Sequence, residues 1–451
     1  MKGTRRRNIP TLFQRKRRRK SVFGVFRAWA FKALFVIVAA VWTIGMFVFC
    51  SRYSRLIEIP AATRKIFPIS PSSVKNSPEN VPIRVTNITK GGYESPLLIF
   101  TCKRQQYLSK TLEYVLAAIS QPCGFGCPII ISEDGHHQEI EDVVLSFTKK
   151  FEEKAIPLIH IHHQRKRQLQ GNPYEALAKH YGWALSQVFD GRAISSNTQQ
   201  EVQQHSLPRR VVILEEDIHV APDFFSYMES TSSLLDNDPK IYAVSAFNDN
   251  GHLEGGDPKR LLRSDFFPGL GWMMNRDLWK NELESKWPSG YWDDWLRDPD
   301  QRNDRQVIRP EVSRTYHFGT DGGASKNQFG SVLGRVKLNE QPVQWDMEDL
   351  SYLENSLYED QYMEMVNNSK LIHLIDEAKN PSPGSNVRME YEDFAHFRIY
   401  AARLEIMKDE KAMVPRTAYR GIVEVRLGSN LLFLVPKGSF KGYKKDTEKA
   451  F

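Results

Sequence analysis

Short apolar runs alternate with longer stretches of helical periodicity from Pro96 onward. In order, the pattern predicts the strand PLLIFTC, a helix over QQYLSKTLEYVLAAIS, the strand PIIIS, a helix over HQEIEDVVLSFTKKF and the strand IPLIHI. A third helix and the strand VVIL follow, and one face of that helix carries Tyr174, Leu177, Ala178, Tyr181, Ala184, Leu185 and Val188. Strands that alternate with helices are typical of a doubly wound, Rossmann-like α/β sheet.

The second half of the chain is less regular. A helix from Asp223 to about Leu235 and the strand IYAVSAF are predicted. The stretches DFFPGLGWMM and WPSGYWDDWLRDP contain too many glycine, proline and tryptophan residues for regular structure, and such loops commonly shape a binding pocket. Helical patterns return in EDLSYLENSLYEDQYMEMV and YEDFAHFRIYAARLEIM, and two strands, GIVEVRL and NLLFLV, are joined by a Gly-Ser turn. We therefore predict a main domain over 96–320, a glycine-containing loop and linker over 321–350, and a smaller α+β domain over 351–451.

The N-terminal part differs sharply in composition from the rest. Residues 1–32 are a basic tail, and the run ALFVIVAAVWTIGMFVFC at 33–50 has no charged residue. A cleaved signal peptide is the alternative, but its apolar region would be shorter and would end at a small-residue cleavage site. Residues 33–50 are therefore predicted to anchor a single-pass type II membrane protein by one transmembrane helix, with 51–95 as a stem and the folded part in the lumen.

Charge and cysteine content narrow the possible partners. Much of the formal charge of +8 comes from the basic tail, so the folded part is close to neutral and no nucleic acid partner is expected. Of the four cysteines, Cys102, Cys123 and Cys127 lie beyond the anchor, where one disulfide is possible in an oxidising lumen. Sequons at Asn87 and Asn367 fit a lumenal location but support it only weakly.

Three predicted strands are each followed by polar residues. Arg104 follows the first strand, Asp134 the second, and three carboxylates follow VVIL. Ligands bind beyond the carboxyl ends of strands in such sheets, so these side chains should meet at one edge. Crowded carboxylates need a compensating cation, and Asp217 is the favoured ligand of a magnesium or manganese ion of the kind that assists glycosyl transfer from a nucleotide sugar. A solvated strand end is the alternative.

A second acidic pair lies in the aromatic stretch YWDDWLR. A sugar hydroxyl that acts as a nucleophile needs a carboxylate to accept its proton, and Asp293 or Asp294 could provide it. The alternative is that these acids only begin a helix, since acidic residues favour the first helical turn.

Six ordered motifs together resemble a known family. LEEDIHVAPDFFSYM, VSAFNDNG, RSDFFPGLGWMM, KWPSGYWDDWLRDPDQR, IRPEVSRTYHFG and MVPRTAYRGIVEV are similar to those of the alpha-1,3-mannosyl-glycoprotein 2-beta-N-acetylglucosaminyltransferases. The resemblance implies a GT-A fold, UDP-GlcNAc as donor, Mn2+ as cofactor and an inverting transfer. The acceptor would be the alpha-1,3-linked mannose of a five-mannose, high-mannose N-glycan, extended through a beta-1,2 bond in the Golgi membrane.

The resemblance also implies roles for the acidic residues. Asp217 would bind the metal, Glu216 the ribose of UDP and Glu215 the GlcNAc. Asp293 would be the general base. The family more often has aspartate where Glu216 stands, so donor affinity is expected to differ.

Six further residues match positions that contact the donor or line the sugar site. Arg104 would meet the donor phosphates, Asp134 the uracil and His180 the nucleotide. The sugar site would be lined by Trp292 and Leu270, and Ser325, in GTDGGASKNQFG, would contact the donor from a loop.

Other functions fit parts of the sequence. The related enzyme that adds beta-1,2-GlcNAc to O-linked mannose can also carry Glu-Glu-Asp, but WDDWLR and VPRTAYRGIV favour the N-glycan enzyme. A lumenal binding protein without catalysis would not need the candidate base and metal ligand. A metal-dependent phosphohydrolase would normally need further histidine or aspartate ligands.

Overall fold

The computed structural model describes residues 94–164, 172–194, 207–320, 333–379, 384–438, 440 and 442–443. The predicted anchor at 33–50 lies outside these residues, as do Asn87 and Ser325. Within the described part, none of the helices is both long and apolar enough to cross a membrane.

The first half alternates strands and helices as the sequence pattern predicts. Its elements are β1 Pro96–Thr101, α1 Gln105–Ala118, β2 Gly126–Asp134, α2 Gln138–Glu152, β3 Leu158–His163, α3 Pro173–Phe189 and β4 Arg210–Glu215. Every strand and helix predicted for this half is confirmed, with ends that differ by a few residues.

The middle of the chain is more regular than predicted. It contains β5 Ile218–Val220, α4 Phe224–Asn237, β6 Ile241–Ser245, β7 Leu261–Ser264, β8 Trp272–Asn275, α5 Arg276–Leu278, α6 Trp292–Arg297, α7 Pro299–Arg302, β9 Gln306–Pro310 and β10 Thr315–His317. The absence of regular structure expected from the glycine- and tryptophan-rich stretches was wrong for β8 and α6. Trp272 of β8 pairs with Ile213 of β4, so sheet pairing orders a segment whose composition favours loops.

Eight strands form one mixed sheet in the order β3-β2-β1-β4-β8-β6-β9-β7. β3, β2, β1 and β4 run parallel, and β8 is antiparallel to β4 on one side and to β6 on the other. The chain moves from β1 outward to β2 and β3 and then returns to place β4 on the other side of β1. A crevice forms where the order reverses in this way, and it is the usual ligand site of such sheets.

Both faces of the large sheet are covered. Leu97 and Ile99 of β1 pack in one apolar cluster with α1, α2 and α4, whereas Leu98 and Phe100 pack in another with α3. Because alternate residues of a strand face opposite sides, a strand buried on both faces is apolar throughout, which explains the unbroken run PLLIF. The predicted mixed α/β sheet is confirmed.

The C-terminal part builds a second sheet. It contains α8 Asn355–Asn368, β11 Lys370–Leu371, α9 Ile375–Lys379, β12 Val387–Tyr391, α10 Phe394–Arg403, β13 Glu410–Lys411, β14 Val414–Pro415, β15 Val423–Leu427 and β16 Asn430–Pro436. Four of these strands form a sheet in the order β11-β12-β16-β15. The two predicted strands are β15 and β16, while β12 was not predicted. The boundary at residue 351 stays a prediction.

One disulfide joins Cys123 to Cys127 in the turn before β2. Cys102 lies outside it, and its thiol donates to the carbonyl oxygen of Asp134 at 3.5 Å. Of the pairings that the sequence left open, those that involve Cys102 are therefore not formed.

Candidate functional site

The carboxyl ends of β1, β2 and β4 meet at one cavity of about 460 Å³. Every predicted site residue in the described part of the chain lines it. These residues are Arg104, Asp134, His180, Glu215, Glu216, Asp217, Leu270, Trp292 and Asp293. The structure thus brings together side chains from seven separate elements or loops, while their individual roles stay predictions.

Positive side chains from the protein itself compensate the three carboxylates. The Arg104 guanidinium lies 2.7 Å from Glu216 Oε1 through its Nε and 2.8 Å from Asp217 Oδ2 through Nη2. His317 Nε2 lies 3.4 Å from the same oxygen of Asp217. β10 pairs with β5 so that His317 is opposite Ile218, which places the imidazole beside Asp217. The sequence pattern pointed to a metal ion as the compensating cation and did not identify His317.

Asp217 retains one oxygen that can bind a cation. Its side chain is buried, and Oδ1 makes no hydrogen bond with the described part of the chain. Burial alone would raise the pKa of Asp217, but the hydrogen bond and charge of His317, together with Arg104, outweigh it and lower that pKa. An ionised carboxylate with an open oxygen fits a manganese or magnesium ion, which binds through one or two protein carboxylates and substrate phosphates.

Gly319 lies directly against Asp217. A Cβ atom at Gly319 would be 2.3 Å from Asp217 Oδ2 and 2.8 Å from Cγ. The Phe318 amide donates to the Asp217 carbonyl oxygen at 3.0 Å, which fixes the two segments together. The close packing therefore requires glycine in the motif TYHFG, a reason that the sequence alone did not reveal.

Glu216 binds the end of β1. It accepts hydrogen bonds from the Thr101 hydroxyl, from the Cys102 amide at 3.1 Å and from Arg104 Nε. These contacts hold Arg104 at the edge of the cavity. The ribose contact predicted for Glu216 stays a prediction beside this positioning role.

Glu215, at the end of β4, is less buried than Glu216 and Asp217. Tyr181 donates its hydroxyl to Glu215 Oε1 at 2.8 Å. Desolvation raises the pKa of Glu215 to about 7, and the charge of Asp217 adds to the rise. Burial also raises the pKa of the Tyr181 phenol, which stays a hydrogen-bond donor.

The ends of β2 and β3 form the side of the cavity predicted for the uracil. His163 Nδ1 lies 2.9 Å from Asp134 Oδ1. His180 of α3 is buried, with Nε2 2.8 Å from the Ser132 hydroxyl and its ring stacked against that of His163 at 5.4 Å. His163 therefore contacts both Asp134, the predicted uracil ligand, and His180, the predicted nucleotide ligand.

An aromatic stack next to His180 supports another part of the cavity wall. The rings of Phe100 and Tyr181 stack at 3.8 Å, and those of Tyr181 and Trp292 at 4.3 Å. Leu270 has φ +52 in the loop that faces them, and its carbonyl oxygen accepts a hydrogen bond from the Thr315 hydroxyl at 2.6 Å. The wall is thus apolar, as one face of a sugar ring requires.

Asp293 and Asp294 both lie in the first turn of α6, so the helix-start interpretation is correct for the pair. Arg297 Nη1 binds Asp293 Oδ2 at 2.8 Å and Asp294 Oδ1 at 2.7 Å. Lys411 from the C-terminal part also binds Asp294, at 2.9 Å. Asp294 is therefore held by two cations, whereas Arg297 alone among the described residues is hydrogen-bonded to the side chain of Asp293.

Comparison with known proteins gives two findings from sequence. A model described as the GNT-I family matches residues 75–447. An Arabidopsis thaliana protein named alpha-1,3-mannosyl-glycoprotein 2-beta-N-acetylglucosaminyltransferase is 37% identical over 349 residues, which cover 76% of this chain and 74% of that protein.

Solved structures give weaker similarities. The mannosyltransferase PcManGT from Pyrobaculum calidifontis, in complex with GDP-Man and Mn2+, is 14% identical with a TM-score of 0.30, over 53% of this chain and 61% of that one. Glucosyl-3-phosphoglycerate synthase from Mycobacterium tuberculosis, in complex with Mn2+, UDP and glucosyl-3-phosphoglycerate, is 10% identical with a TM-score of 0.30, over 55% of this chain and 81% of that one. At TM-scores this low, neither similarity carries an argument about this chain.

Proposed function

Because the chain belongs to the GNT-I family, we propose that it is a glycosyltransferase that adds N-acetylglucosamine to the alpha-1,3-linked mannose of N-glycans. The name of the Arabidopsis thaliana relative describes transfer of this sugar to the 2-position of a mannosyl glycoprotein. The observation that carries the proposal is that Asp293 and the acidic triplet Glu215, Glu216 and Asp217 line the same cavity. A base for the acceptor and carboxylates for the donor are therefore available at one place.

The donor is UDP-GlcNAc, bound across the carboxyl ends of β2, β1 and β4 in a fold of the GT-A type. Asp134 contacts the uracil, His180 contacts the nucleotide, and Arg104 meets the diphosphate. Glu216 and Glu215 lie along the ribose and the transferred sugar. The order of these residues along the sheet edge supports the arrangement, because β1 lies between β2 and β4.

The transfer is a single displacement with inversion. Asp293 accepts the proton of the mannose 2-hydroxyl while the oxygen of that hydroxyl forms a bond to the anomeric carbon of GlcNAc. The bond from that carbon to the diphosphate oxygen breaks, and UDP leaves with the bonding electrons. Arg297 orients the carboxylate of Asp293 through Oδ2.

Asp217 is the residue that holds the cofactor, proposed to be Mn2+. When bound, the ion offsets the charge that the diphosphate gains as the glycosidic bond breaks. The open Oδ1 of Asp217 supports this assignment, and Gly319 leaves the room that the carboxylate needs.

The enzyme is anchored in the Golgi membrane as a type II protein, with the described part in the lumen. Asn367 is exposed near the end of α8, so a lumenal location would make its sequon accessible. A glycosidase-sensitive mass shift that disappears in Asn367→Gln would support this topology. Protease digestion of the catalytic part in intact vesicles would contradict it.

An acceptor comparison tests the activity. The lumenal part is incubated with UDP-GlcNAc, manganese and either a five-mannose N-glycan or an O-mannosyl peptide. The masses of the products are then measured by mass spectrometry. We expect one GlcNAc on the N-glycan and none on the peptide. Transfer to the peptide alone would show that the protein is the O-mannose enzyme instead. If neither acceptor gains GlcNAc, the proposed transferase activity is refuted.

A further inference from the structure

The ends of β2 and β3 carry a second polar cluster on the face opposite Asp134. Glu133 pairs in register with His162, and Asp134 with His163. Because alternate residues of a strand face opposite sides, Glu133 and His162 lie away from the candidate donor cavity, and neither lines it. The donor and catalytic residues therefore do not explain this cluster.

Glu133 is fully buried, but only one of its oxygens is satisfied. Oε1 accepts from the backbone amide of His137 at 2.6 Å and lies 2.7 Å from the Nδ1 of the same residue. Oε2 lies 3.0 Å from His160 Nε2 and 3.3 Å from His162 Nδ1. Neither Oε2 nor His160 Nε2 makes a hydrogen bond within the described part of the chain, although the two atoms lie 3.0 Å apart.

A buried carboxylate oxygen without a hydrogen bond costs about 1–3 kcal/mol, so a partner is expected. Ring nitrogens and a carboxylate oxygen that lie close together can bind a metal ion. His136 Nδ1 lies 3.3 Å from His162 Nδ1, and ligand atoms of Glu133, His136 and His162 all lie within 4.8 Å of one another. Bonds of about 2.0–2.2 Å in a tetrahedral zinc site separate the ligand atoms by about 3.3–3.6 Å. The distances from His162 Nδ1 to His136 Nδ1 and to Glu133 Oε2, both 3.3 Å, match this separation.

We propose that Glu133, His136 and His162 bind a divalent transition metal ion, with zinc as the best match. Two imidazole nitrogens and one carboxylate suit zinc, nickel or copper, whereas manganese and magnesium favour oxygen ligands. The side chains of His136 and His162 are 64% and 34% exposed, so solvent reaches the site and water can take the fourth position. The ion is separate from the one proposed at Asp217 and ties the end of β2 to that of β3.

Zinc binding to the full chain tests the proposal directly. The protein is purified in detergent without an oligohistidine tag, stripped with a chelator, and titrated with zinc chloride in competition with a chromophoric chelator. We expect one zinc site per chain that persists in Asp217→Ala. The same site should bind cobalt(II) and give visible absorption bands typical of tetrahedral coordination.

Matched histidine variants locate the site. His136→Ala and His162→Ala should each weaken zinc binding by about ten-fold or more, since even the loss of an outer contact to a metal ligand has an effect of this size. His373→Ala, an exposed histidine distant in sequence, should bind zinc as the wild type does. The fold should survive His136→Ala because that side chain is largely exposed.

Two results would overturn the proposal: no zinc bound by the wild type, or equal affinity in His136→Ala, His162→Ala and His373→Ala. Loss of the site in Asp217→Ala would instead assign the zinc to the candidate catalytic cavity and would also overturn it. Each readout is independent of transferase activity, so failure of the proposed function would leave this test valid.

Discussion

Asp293 is the residue on which the proposed transfer most directly depends. Asp293→Asn keeps the shape of the side chain but removes the proton acceptor, so kcat should fall about 100- to 10,000-fold. UDP binding should be nearly unchanged, since the proposed donor contacts lie at the ends of β1, β2 and β4 and on α3, and none of them is on α6. Single-turnover kinetics and calorimetric titration with UDP would measure the two effects.

Asp294 provides the matched control for Asp293. It lies in the same helical turn and binds the same guanidinium, so Asp294→Asn also disturbs Arg297. A much smaller loss of kcat is expected because Asp294 is already held by Lys411. Equal losses in the two variants would show that the effect comes from Arg297 and not from a base.

Gly319 tests the proposed metal site without changing a charged residue. The added methyl of Gly319→Ala would displace the Asp217 carboxylate, because it would lie 2.3 Å from Oδ2. Manganese-dependent UDP binding should weaken by roughly ten-fold or more, as when the contacts that orient a metal ligand are lost. Gly124→Ala is the control because a Cβ there meets nothing within 4 Å. Unchanged manganese dependence in Gly319→Ala would argue against Asp217 as the ligand.

Among single residues, the sequence identified those whose chemistry stands out in their local stretch of the chain. Three adjacent carboxylates after an apolar run are visible in any reading of the chain, and so is an acidic pair between tryptophans. His317 and Gly319 were not identified, since their importance lies in contact with Asp217, 100 or so residues earlier in the chain. A lone histidine or glycine gives no local signal of such a contact.

Among the elements, the start of α4 is tied to later parts of the chain through Asp223. Its carboxylate accepts from Arg314 at 3.2 Å, from Asn339 at 3.1 Å and from the Trp345 indole at 2.9 Å. The side chains of Asp223 and Arg314 are both buried, with 1% and 0% exposure. One carboxylate thus joins α4 to the segment before β10 and to the stretch that leads into the C-terminal part.

Replacement of Asp223 by asparagine should destabilise the protein strongly. The buried Arg314 guanidinium would lose its counter-charge, and the removal of one partner from a buried pair typically costs about 3–5 kcal/mol. Asp346→Asn, at an exposed position one residue after Trp345, should change the free energy of unfolding by less than about 0.5 kcal/mol. Urea unfolding would measure both variants, and similar midpoints would contradict the role of Asp223.

The elements differ in how far the sequence predicts them. In the first half each helix has one apolar face and each inner strand is buried on both sides, so periodicity reports burial directly. The region of β8 and α6 was misjudged because its elements are short and depend on distant partners. β8 has four residues and is ordered by its pairing with β4 and β6, and the local pattern of β8 cannot indicate that pairing.

For the whole molecule, partly buried ion pairs join the small sheet to segments that flank strands of the large one. Glu424 of β15 binds Arg260, which precedes β7, through both carboxylate oxygens. Arg426 of β15 binds Glu311 at 2.6 and 2.8 Å. Lys411 of β13, which pairs with β14 outside the small sheet, lines the candidate cavity, so the C-terminal part of the chain also contributes to the candidate site.

These links predict that residues 94–443 unfold as one cooperative unit. Calorimetry should show a single transition with equal calorimetric and van't Hoff enthalpies. Glu424→Gln should lower the temperature of the whole transition, because it leaves the Arg260 guanidinium partly buried without its closest carboxylate. Glu390→Gln is the matched control, since Glu390 is an exposed glutamate on β12 of the same small sheet. Two separate transitions, or an effect of Glu424→Gln on only one of them, would mean that the small sheet folds independently of the large one.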